Sequence, residues 1–424
     1  MSSKTSQMLR TLTAEQVKAI DRLFGYDHTI LVAATGAGKT VIALTAIWEM
    51  IEEKYLTKVI VAAPAKVIEK MIWVNEAAKW DHLSGVRIIQ LEGTSQQRIK
   101  TLRSSKTEIV LVSLNNLDWL LHQDHGCDGI VIDELSKASG KWTKGLKSKK
   151  RCKKLFWRCG MTATPVSQSY EKLYGMARII DEGLALGTNK QKYLQDYFYS
   201  DYQGYNWTLK DHADAQITEK VRSLVHLVTD DKVRVLPALS ERVLKFNMPA
   251  ETREIYNEMK RHMVIEDRES SNQAVKSGVL RQLGSGFYYQ DNGVATALDT
   301  ARADAAGHWA KSLKGEPGII YYEFVEQLIQ LEKLPDNIMR AQIQSMSHGI
   351  DGLQHKFSAV CFYQPPWSRD QREQSVGRVW RTGQEHPVTV TTLVCDNTLD
   401  EPVMARVDDR GKWMELFKQH LKKE

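Results

Sequence analysis

The sequence predicts an α/β protein of two tandem lobes, each a parallel sheet flanked by helices, with a mostly helical insert between them. Two series of alternating β-rich and helical runs, one in each half of the chain, support this fold class. The chain has 424 residues, of which 42% are hydrophobic, enough to bury more than one core. We therefore predict an N-terminal domain at 1–230 and a C-terminal domain at 231–424, which carries a helical insert near 250–310.

The first series contains five β-rich runs separated by helical patterns. Between the first two runs, Leu44, Ile47, Trp48 and Ile51 recur at helical spacing and form one apolar stripe that can pack on a sheet. This arrangement is a βαβ unit, which implies parallel strands. The predicted strands are 28–33, 58–63, 108–112, 129–133 and 157–162.

The second series starts late in the chain and includes a helical stretch at 323–334. The 166–310 region between the two series has mostly helical patterns. One polar, extended passage at 229–241 contains Pro237, and we place the linker between the lobes there. The predicted strands of the second series are 318–322, 343–346, 359–363 and 388–394.

Composition argues against several classes of protein. No run approaches the roughly 18 apolar residues that a membrane-spanning helix needs, and residues 1–10 are polar where a signal peptide is apolar. We therefore expect a cytoplasmic protein with no membrane partner. The five cysteines are odd in number and form no C-x-x-C pair, which argues against a disulfide framework or a zinc site. The formal charge of +6 and the pI near 8.8 are compatible with a polyanionic partner.

A glycine-containing segment at 33–40, Ala-Ala-Thr-Gly-Ala-Gly-Lys-Thr, follows the first predicted strand and opens a helix. In this setting, backbone N–H groups and the helix N-terminus face a phosphate. The glycines let the backbone curl, Lys39 supplies a cation for the β- and γ-phosphates, and the Thr40 hydroxyl is suited to bind Mg²⁺. The predicted ATP-binding residues of this loop are Thr35, Gly36, Ala37, Gly38, Lys39 and Thr40.

Two carboxylates, Asp133 and Glu134, end the predicted strand at 129–133. Open α/β sheets bind their ligands at the carboxyl ends of their strands. Phosphoryl transfer depends on positioning and charge neutralisation, so one acid for the metal and one for the attacking water fit this chemistry. We expect Asp133 to hold Mg²⁺ and Glu134 to orient or deprotonate the water.

Two arginines lie in the stretch 374–384, Gln-Ser-Val-Gly-Arg-Val-Trp-Arg-Thr-Gly-Gln. Arg378 and Arg381 are three residues apart, so on a helix they would project from the same face. Guanidinium groups match phosphate oxygens in geometry. With the phosphate loop in one lobe and the arginines in the other, we expect the complete site to form only at the cleft. The predicted catalytic residues are Lys39, Glu134, Arg378 and Arg381.

These motifs, in this order, resemble those of superfamily 2 helicases, and among them the Swi/Snf-like (DEAD/DEAH-type) ATPases. The resemblance covers nearly the whole chain and implies two RecA-like lobes, ATP and Mg²⁺. The family commonly begins the loop with alanine, as Ala33 does here. Gln16 matches the glutamine that reads adenine in the family. The tail segments 381–384 and 398–401 resemble the Swi/Snf branch most closely.

The resemblance also implies residues for nucleic-acid contact and for coupling it to hydrolysis. Pro64, followed by Trp73, matches a segment that touches the DNA backbone, and Asp351 matches an aspartate that contacts the ATP ribose in DEAD-box helicases. Thr162 and Thr164 lie in a motif that couples hydrolysis to nucleic-acid grip. The implied contact and coupling residues are Pro64, Ser113, Thr162, Thr164, Ser347 and Gln374.

A basic segment at 141–158 contains nine lysines and arginines and no acid. A charge run is often only a solvated loop. Because this one lies between two motifs of the resemblance, we favour contact with DNA phosphates, which would make the affinity fall steeply with salt. The predicted contacts for duplex or branched DNA are Lys149, Lys150, Lys153 and Lys154.

We therefore expect an ATP-dependent DNA helicase or double-stranded DNA translocase, a nucleic-acid-stimulated ATPase acting on duplex, forked or branched DNA in replication, recombination or remodelling. The chain is barely longer than such a motor core, which suggests a monomeric phage or bacterial enzyme. An RNA helicase is the alternative favoured by Gly349, Ile350 and Asp351. The motor subunit of a restriction-type complex lacks support from any nuclease constellation, and a non-hydrolysing clamp would lack Glu134 or the arginines.

Overall fold

The computed structural model describes residues 11–104, 106–138, 146, 154–166, 169–202, 207–229, 236–265, 273–346 and 352–422. The chain divides into two compact units. Unit 1 consists of Met1–Arg234 together with Lys412–Glu424, and unit 2 consists of Val235–Gly411. The domain boundary after residue 230 stays a prediction.

Unit 1 contains a seven-stranded parallel sheet among its described residues, in the order β3-β4-β2-β5-β6-β1-β9. A separate antiparallel hairpin is formed by β7 and β8. The strands are β1 (His28–Val32), β2 (Val59–Ala63), β3 (Ile88–Gln90), β4 (Ile109–Ser113), β5 (Gly129–Ile132), β6 (Trp157–Thr162), β7 (Phe198–Ser200), β8 (Trp207–Leu209) and β9 (Val225–Leu227).

Helices cover both faces of this sheet. Side chains alternate along each strand, so Ile30 and Val32 enter one core while Leu31 enters the other. The central strands are therefore almost wholly apolar, as expected for a parallel sheet buried on both sides. The helices are α1 (Ala14–Gly25), α2 (Lys39–Glu52), α3 (Ala65–Glu69), α4 (Ile72–Ala77), α5 (Ser95–Ser104), α6 (Leu114–Leu120), α7 (Tyr170–Ile180), α8 (Lys190–Tyr197) and α9 (Ala213–Val221).

Unit 2 contains a five-stranded parallel sheet among its described residues, in the order β10-β16-β15-β13-β14, and a two-stranded hairpin of β11 and β12. The strands are β10 (Leu239–Phe246), β11 (Phe287–Tyr289), β12 (Ala295–Ala297), β13 (Gly318–Tyr322), β14 (Ile338–Gln342), β15 (Ala359–Phe362) and β16 (Val388–Cys395). The helices are α10 (Ala250–Ile265), α11 (Gln273–Leu283), α12 (Ala301–Ser312), α13 (Val325–Gln330), α14 (Ile343–Met346), α15 (Arg369–Val376) and α16 (Asp400–Lys422), which belongs to unit 1 from Lys412 onward.

The predicted fold class, two parallel sheets flanked by helices, is confirmed. The predicted strand at 343–346 is wrong, because this segment is helix α14 and the strand is the preceding Ile338–Gln342. Strand β14 is an edge strand that contains Arg340 and buries only part of its length, so it shows no apolar run. Ile343 and Met346 are three residues apart, which is helical spacing.

The 166–310 region is less helical than predicted. Alongside its helices, the described part of this region contributes six strands, of which β9 and β10 complete the edges of the two large sheets. Strand β10 begins at Leu239, inside the passage predicted as a linker. Most residues of β10 are exposed or half-buried, so an apolar pattern could not reveal it.

Among the described residues, no helix combines the length and the apolar character needed to cross a bilayer.

Candidate nucleotide-binding site

The carboxyl edge of the unit 1 sheet brings together residues that are far apart in the sequence. Following the strand order from β4 to β1, this edge presents Ser113, Pro64, Asp133, Thr162 and Ala33. Adjacent strands of a sheet lie ~4.8 Å apart, so the five strands span roughly 19 Å. Ligands of open α/β sheets bind at this edge.

The phosphate loop follows β1 and ends at the start of α2. Gly36 and Gly38 have φ angles of 84° and 83°, in the left-handed region that glycine adopts without strain. The Ala37 N–H donates to the Ala34 carbonyl at 3.1 Å, which closes the turn. Gly38 has no side chain to cap α2, and the first N–H groups of a helix are suited to an anion.

Lys39 and Thr40 are the first two residues of α2, and both are half-buried. The Lys39 ammonium donates to the carbonyls of Ala33 at 2.8 Å and Ala34 at 3.1 Å. Its charge therefore lies within the loop. The half-buried Thr35 and the buried Ala37 complete the predicted ATP-binding residues of this segment.

Gln16 joins helix α1 to the loop. With Thr13 it forms a capping box, in which the Thr13 N–H donates to Gln16 Oε1 at 2.9 Å and the Gln16 N–H donates to Thr13 Oγ1 at 3.3 Å. Gln16 Nε2 donates to the Ala37 carbonyl at 3.2 Å. The predicted adenine-reading glutamine therefore contacts the phosphate loop itself.

Asp133 and Glu134 follow β5, separated from β1 by the single strand β6. The Asp133 N–H donates to the Ala62 carbonyl at 2.8 Å, and the indole N–H of Trp73 donates to Asp133 Oδ2 at 3.3 Å. Burial of the carboxylate, followed by the negative charge of Glu134, raises the pKa of Asp133 to about 6. The Lys39 ammonium acts in the opposite direction, so the two groups lie near enough to interact.

Glu134 is half-buried and has a φ of 57°, an uncommon value for a residue with a side chain. The Lys137 ammonium lies 3.8 Å from Glu134 Oε2. Thr162 and Thr164, both buried, lie at the end of β6 between the loop and the carboxylates. The Thr162 carbonyl accepts from the Ala33 N–H at 3.1 Å, and its hydroxyl accepts from the Thr164 N–H at 3.1 Å.

Two predicted nucleic-acid contacts lie next to each other on the same edge. Ala63, which precedes Pro64, pairs with Ser113 in the register of β2 and β4. Pro64 and Ser113 are half-buried, and the Asn116 amide donates to Ser113 Oγ at 3.0 Å. Trp73, predicted to belong to the same DNA-contacting segment, is fully buried and therefore does not face a ligand in solution.

Of the basic segment, the structure describes residue 146 and residues 154–158. Lys154 is exposed and lies before β6, at the amino edge of the sheet, opposite Pro64 and Ser113. Arg158, counted in the segment, is buried and pairs with Glu182 at 2.6 Å, so it cannot serve as a phosphate contact. Lys149, Lys150 and Lys153 lie outside the described residues.

In unit 2, the predicted helical arrangement of the two arginines is wrong. Helix α15 carries the half-buried Gln374 but ends at Val376, so Arg378 and Arg381 lie in the turn that follows. Both arginines are half-buried. The turn is anchored by the Trp380 indole, which donates to the Pro237 carbonyl at 2.8 Å, and by Gln384 Nε2, which donates to the Phe357 carbonyl at 2.9 Å. Ser347 and Asp351 lie outside the described residues.

One contact of the site was missed by the sequence analysis. Trp73 and Asp133 are 60 residues apart, and no spacing rule connects an indole to a carboxylate at that distance along the chain. Only the pairing of β2 with β5 brings the two segments together. The apolar run of Ile72, Trp73 and Val74 indicates that this segment is buried, but it does not identify the partner of the indole.

The donor set fits a magnesium nucleotide. Thr40 and Asp133 offer oxygen atoms, which Mg²⁺ prefers, and the Lys39 ammonium and the open N-terminus of α2 suit phosphate. A Cβ atom at position 38 would lie 2.4 Å from Gln16 Nε2, and the φ of 83° there would strain a residue that has a side chain. The arrangement is therefore suited to hold a nucleoside triphosphate beside the acids Asp133 and Glu134.

The model of the SNF2-related domain matches residues 21–285, which is more than half of the chain. The chain belongs to the SNF2-related domain family. This SNF2-related protein is accordingly an ATP-hydrolysing enzyme, and the resemblance to Swi/Snf-like ATPases is confirmed.

The SNF2-related protein has relatives of two kinds. It is 25% identical over 449 residues to the putative protein p41 of Acyrthosiphon pisum secondary endosymbiont phage 1, covering 95% of this chain and 97% of that protein. It is 26% identical over 176 residues to the DNA excision repair protein ERCC-6-like of Danio rerio, covering 39% of this chain and 12% of that protein. The match to a phage protein agrees with the expected phage or bacterial character.

Two solved structures from Sulfolobus solfataricus are similar to the SNF2-related protein. One is the SWI2/SNF2 ATPase core in complex with dsDNA, at 16% identity and a TM-score of 0.47, covering 97% of this chain and 94% of that chain. The other is the SWI2/SNF2 ATPase core domain, at 17% identity and a TM-score of 0.46, covering 98% and 93%.

Proposed function

We propose that this SNF2-related ATPase is a motor that couples ATP hydrolysis to movement along double-stranded DNA. One observation carries the proposal. The carboxyl edge of the unit 1 sheet holds the phosphate loop at β1 and the paired acids at β5, and the same edge continues to Pro64 and Ser113 at β2 and β4. A nucleotide and a nucleic-acid backbone bound there would be neighbours on one rigid sheet.

At the nucleotide end, we assign roles by chemistry. The loop 35–40 and Lys39 bind the phosphates, Gln16 positions the loop, and Thr40 and Asp133 hold Mg²⁺. When bound, Mg²⁺ supplies charge neutralisation for the β- and γ-phosphates. Glu134 orients the attacking water and accepts its proton. Arg378 and Arg381 are proposed to stabilise the charge of the transferred phosphate.

At the nucleic-acid end, Pro64 and Ser113 are proposed to contact the DNA backbone, and Ser347 and Gln374 of the second unit to do the same. Thr162 and Thr164 are proposed to couple the two ends, because they lie at the carboxyl end of β6, the strand between the loop and the acids. The lysines 149, 150, 153 and 154 are proposed as a separate phosphate-binding segment. Exposed Lys154 at the opposite sheet edge implies that DNA held there follows a path of its own.

The test is the steady-state ATPase rate without nucleic acid and with single-stranded DNA, duplex DNA, forked DNA or RNA. We expect duplex and forked DNA to stimulate most. A displacement assay on a triplex and an unwinding assay on a fork, both with ATP, then separate translocation from strand separation. Stimulation by RNA alone would replace the proposal with an RNA helicase, and no stimulation by any nucleic acid would contradict a motor. Cytoplasmic location and a monomeric state stay predictions.

A further inference from the structure

The indole of Trp73 is buried beside a carboxylate of the nucleotide site. Trp73 lies near the start of α4 and is 0% exposed, within the core that packs on the α2 side of the sheet. Its N–H donates to Asp133 Oδ2 at 3.3 Å, slightly longer than most N–H···O hydrogen bonds. An indole has a single donor and no acceptor, and a buried one requires a partner.

Asp133 is thereby held at two points by the stretch from Ala62 to Trp73, and its carboxylate also accepts from the Glu134 backbone N–H. Its backbone N–H donates to Ala62 at the end of β2, and its side chain accepts from Trp73, eleven residues further along the same stretch. The last torsion of an aspartate side chain is broad, so its oxygens can turn over a wide range. Donors to the carboxylate, here the Trp73 indole N–H and the Glu134 backbone N–H, restrict this rotation and define the direction of the oxygen atoms.

We propose that Trp73 is a positioning residue for metal binding, and that it does so by fixing the orientation of the Asp133 carboxylate. The inference rests on the proposed role of Asp133 in holding Mg²⁺. Groups that hydrogen-bond to metal ligands orient those ligands, and their loss typically lowers metal affinity about 10- to 100-fold. The long donor–acceptor distance places the expected effect near the lower limit of this range.

The chain offers a matched control seven residues away. Trp80 is also largely buried, and its indole N–H donates to Glu76 Oε1 at 3.0 Å. Glu76 also accepts from the Lys79 ammonium at 2.8 Å, and it is not one of the two acids that follow β5. Trp73→Phe and Trp80→Phe therefore remove the same indole donor from the same segment, but only the first removes it from Asp133.

The experiment measures the dissociation constant of a fluorescent ATP analogue in EDTA and in Mg²⁺. The constant in EDTA divided by the constant in Mg²⁺ gives the tightening of binding due to the metal. We expect Trp73→Phe to lower this ratio about 10-fold. Trp80→Phe should leave the ratio unchanged, although both variants lose some thermal stability. Equal ratios for the two variants would overturn the proposal, since packing in the core would then be the whole role of Trp73.

Two further variants separate the possible failures. Asp133→Asn should abolish the tightening by Mg²⁺, and Trp73→Phe added to it should cause no further loss, because the positioned group is already gone. If Asp133→Asn keeps the tightening, the proposed metal site fails and the inference fails with it. If only Asp133→Asn loses the tightening, the metal site stands and Trp73 has no positioning role.

Should Trp73→Phe not fold, benzothienylalanine at position 73 keeps the bicyclic shape and replaces the N–H by sulfur. We expect this variant to lower the ratio of the two dissociation constants by the same roughly 10-fold. An unchanged ratio would overturn the proposal.

Discussion

At the scale of single residues, the two acids after β5 are held differently. Asp133 is fixed by contacts to the main chain and to Trp73, and burial raises its pKa to about 6. Glu134 has a left-handed backbone, and the Lys137 ammonium lies 3.8 Å from its carboxylate. Strained backbone at an acid beside a phosphate loop is typical of residues with a catalytic task. The separate environments support separate roles for the two acids.

Replacing Glu134 with glutamine tests its role. Glutamine keeps the shape but cannot accept the proton of the attacking water, so we expect kcat to fall by roughly 10² to 10⁴ while ATP binding changes little. The measurement pairs steady-state ATPase rates with nucleotide affinity. Glu219→Gln, which changes an exposed acid on α9 in the same unit, should turn over normally. A near-normal rate for Glu134→Gln would remove Glu134 from the mechanism.

At the scale of elements, the loop that connects β1 to α2 requires backbone conformations that only glycine adopts readily. An alanine at Gly38 would hold a left-handed φ at a cost of about 1–2 kcal/mol, and its Cβ would meet Gln16 Nε2 at 2.4 Å. We therefore expect Gly38→Ala to lose stability and to weaken ATP binding, because the loop and Gln16 must both shift. Chemical denaturation and nucleotide titration measure the two effects.

Gly175→Ala is the matched control for this prediction. Gly175 lies inside helix α7 of the same unit, and a Cβ there would meet nothing within 4 Å. Alanine should therefore stabilise the helix by about 0.5–1 kcal/mol and leave ATP binding unchanged. Comparable losses of affinity in both variants would contradict the special role of Gly38.

The elements that the sequence predicted well are those buried on both faces. Strands β2, β4 and β5 are runs of apolar residues, and the glycine-lysine-threonine signature marks the loop after β1. Besides the two short hairpins, the sequence analysis missed four edge strands whose partial exposure leaves no pattern, β3, β9, β10 and β14. Periodicity reports burial, so a strand stabilised chiefly by pairing with one neighbour escapes it.

Two further features of the sites could not be predicted from the sequence. The spacing of Arg378 and Arg381 suggested a helix, but Gly377 follows the last helical residue and a turn begins there. The indole contact of Trp73 with Asp133 depends on which strands are neighbours, and one sequence does not encode that order in any local signal. The identities of the site residues could be proposed from motifs, whereas their partners required the fold.

At the scale of the whole molecule, unit 1 is discontinuous in sequence. Residues 412–424 belong to it although all of unit 2 lies between them and Arg234. Met414 and Phe417 are buried in the core of unit 1, where the Phe417 ring lies 6.1 Å from that of Tyr170. The Arg222 guanidinium donates to the carbonyls of His420 and Leu421 at 2.8 and 2.9 Å, which caps the end of α16.

We predict that Phe417→Ala destabilises unit 1 by about 3–5 kcal/mol, the usual cost of removing a fully buried phenylalanine. The neighbouring Leu416 is 40% exposed, so Leu416→Ala should change stability by less than about 1 kcal/mol. Urea unfolding with and without an ATP analogue compares the variants, since the proposed nucleotide site lies in unit 1. Equal effects of the two substitutions would show that the buried position of Phe417 contributes nothing.

The discontinuity of unit 1 also bears on the order in which the protein is made. Translation proceeds at roughly 5–20 residues per second, so the 177 residues between Arg234 and Lys412 delay the ribosome by roughly 10–35 s. During that interval the nascent unit 1 has its strands but lacks Met414 and Phe417, and it presents a gap in its core. Unit 2 is thus fully synthesised before the last core residues of unit 1 are available. A ribosome stalled between these two points would leave apolar surface of unit 1 accessible to chaperones.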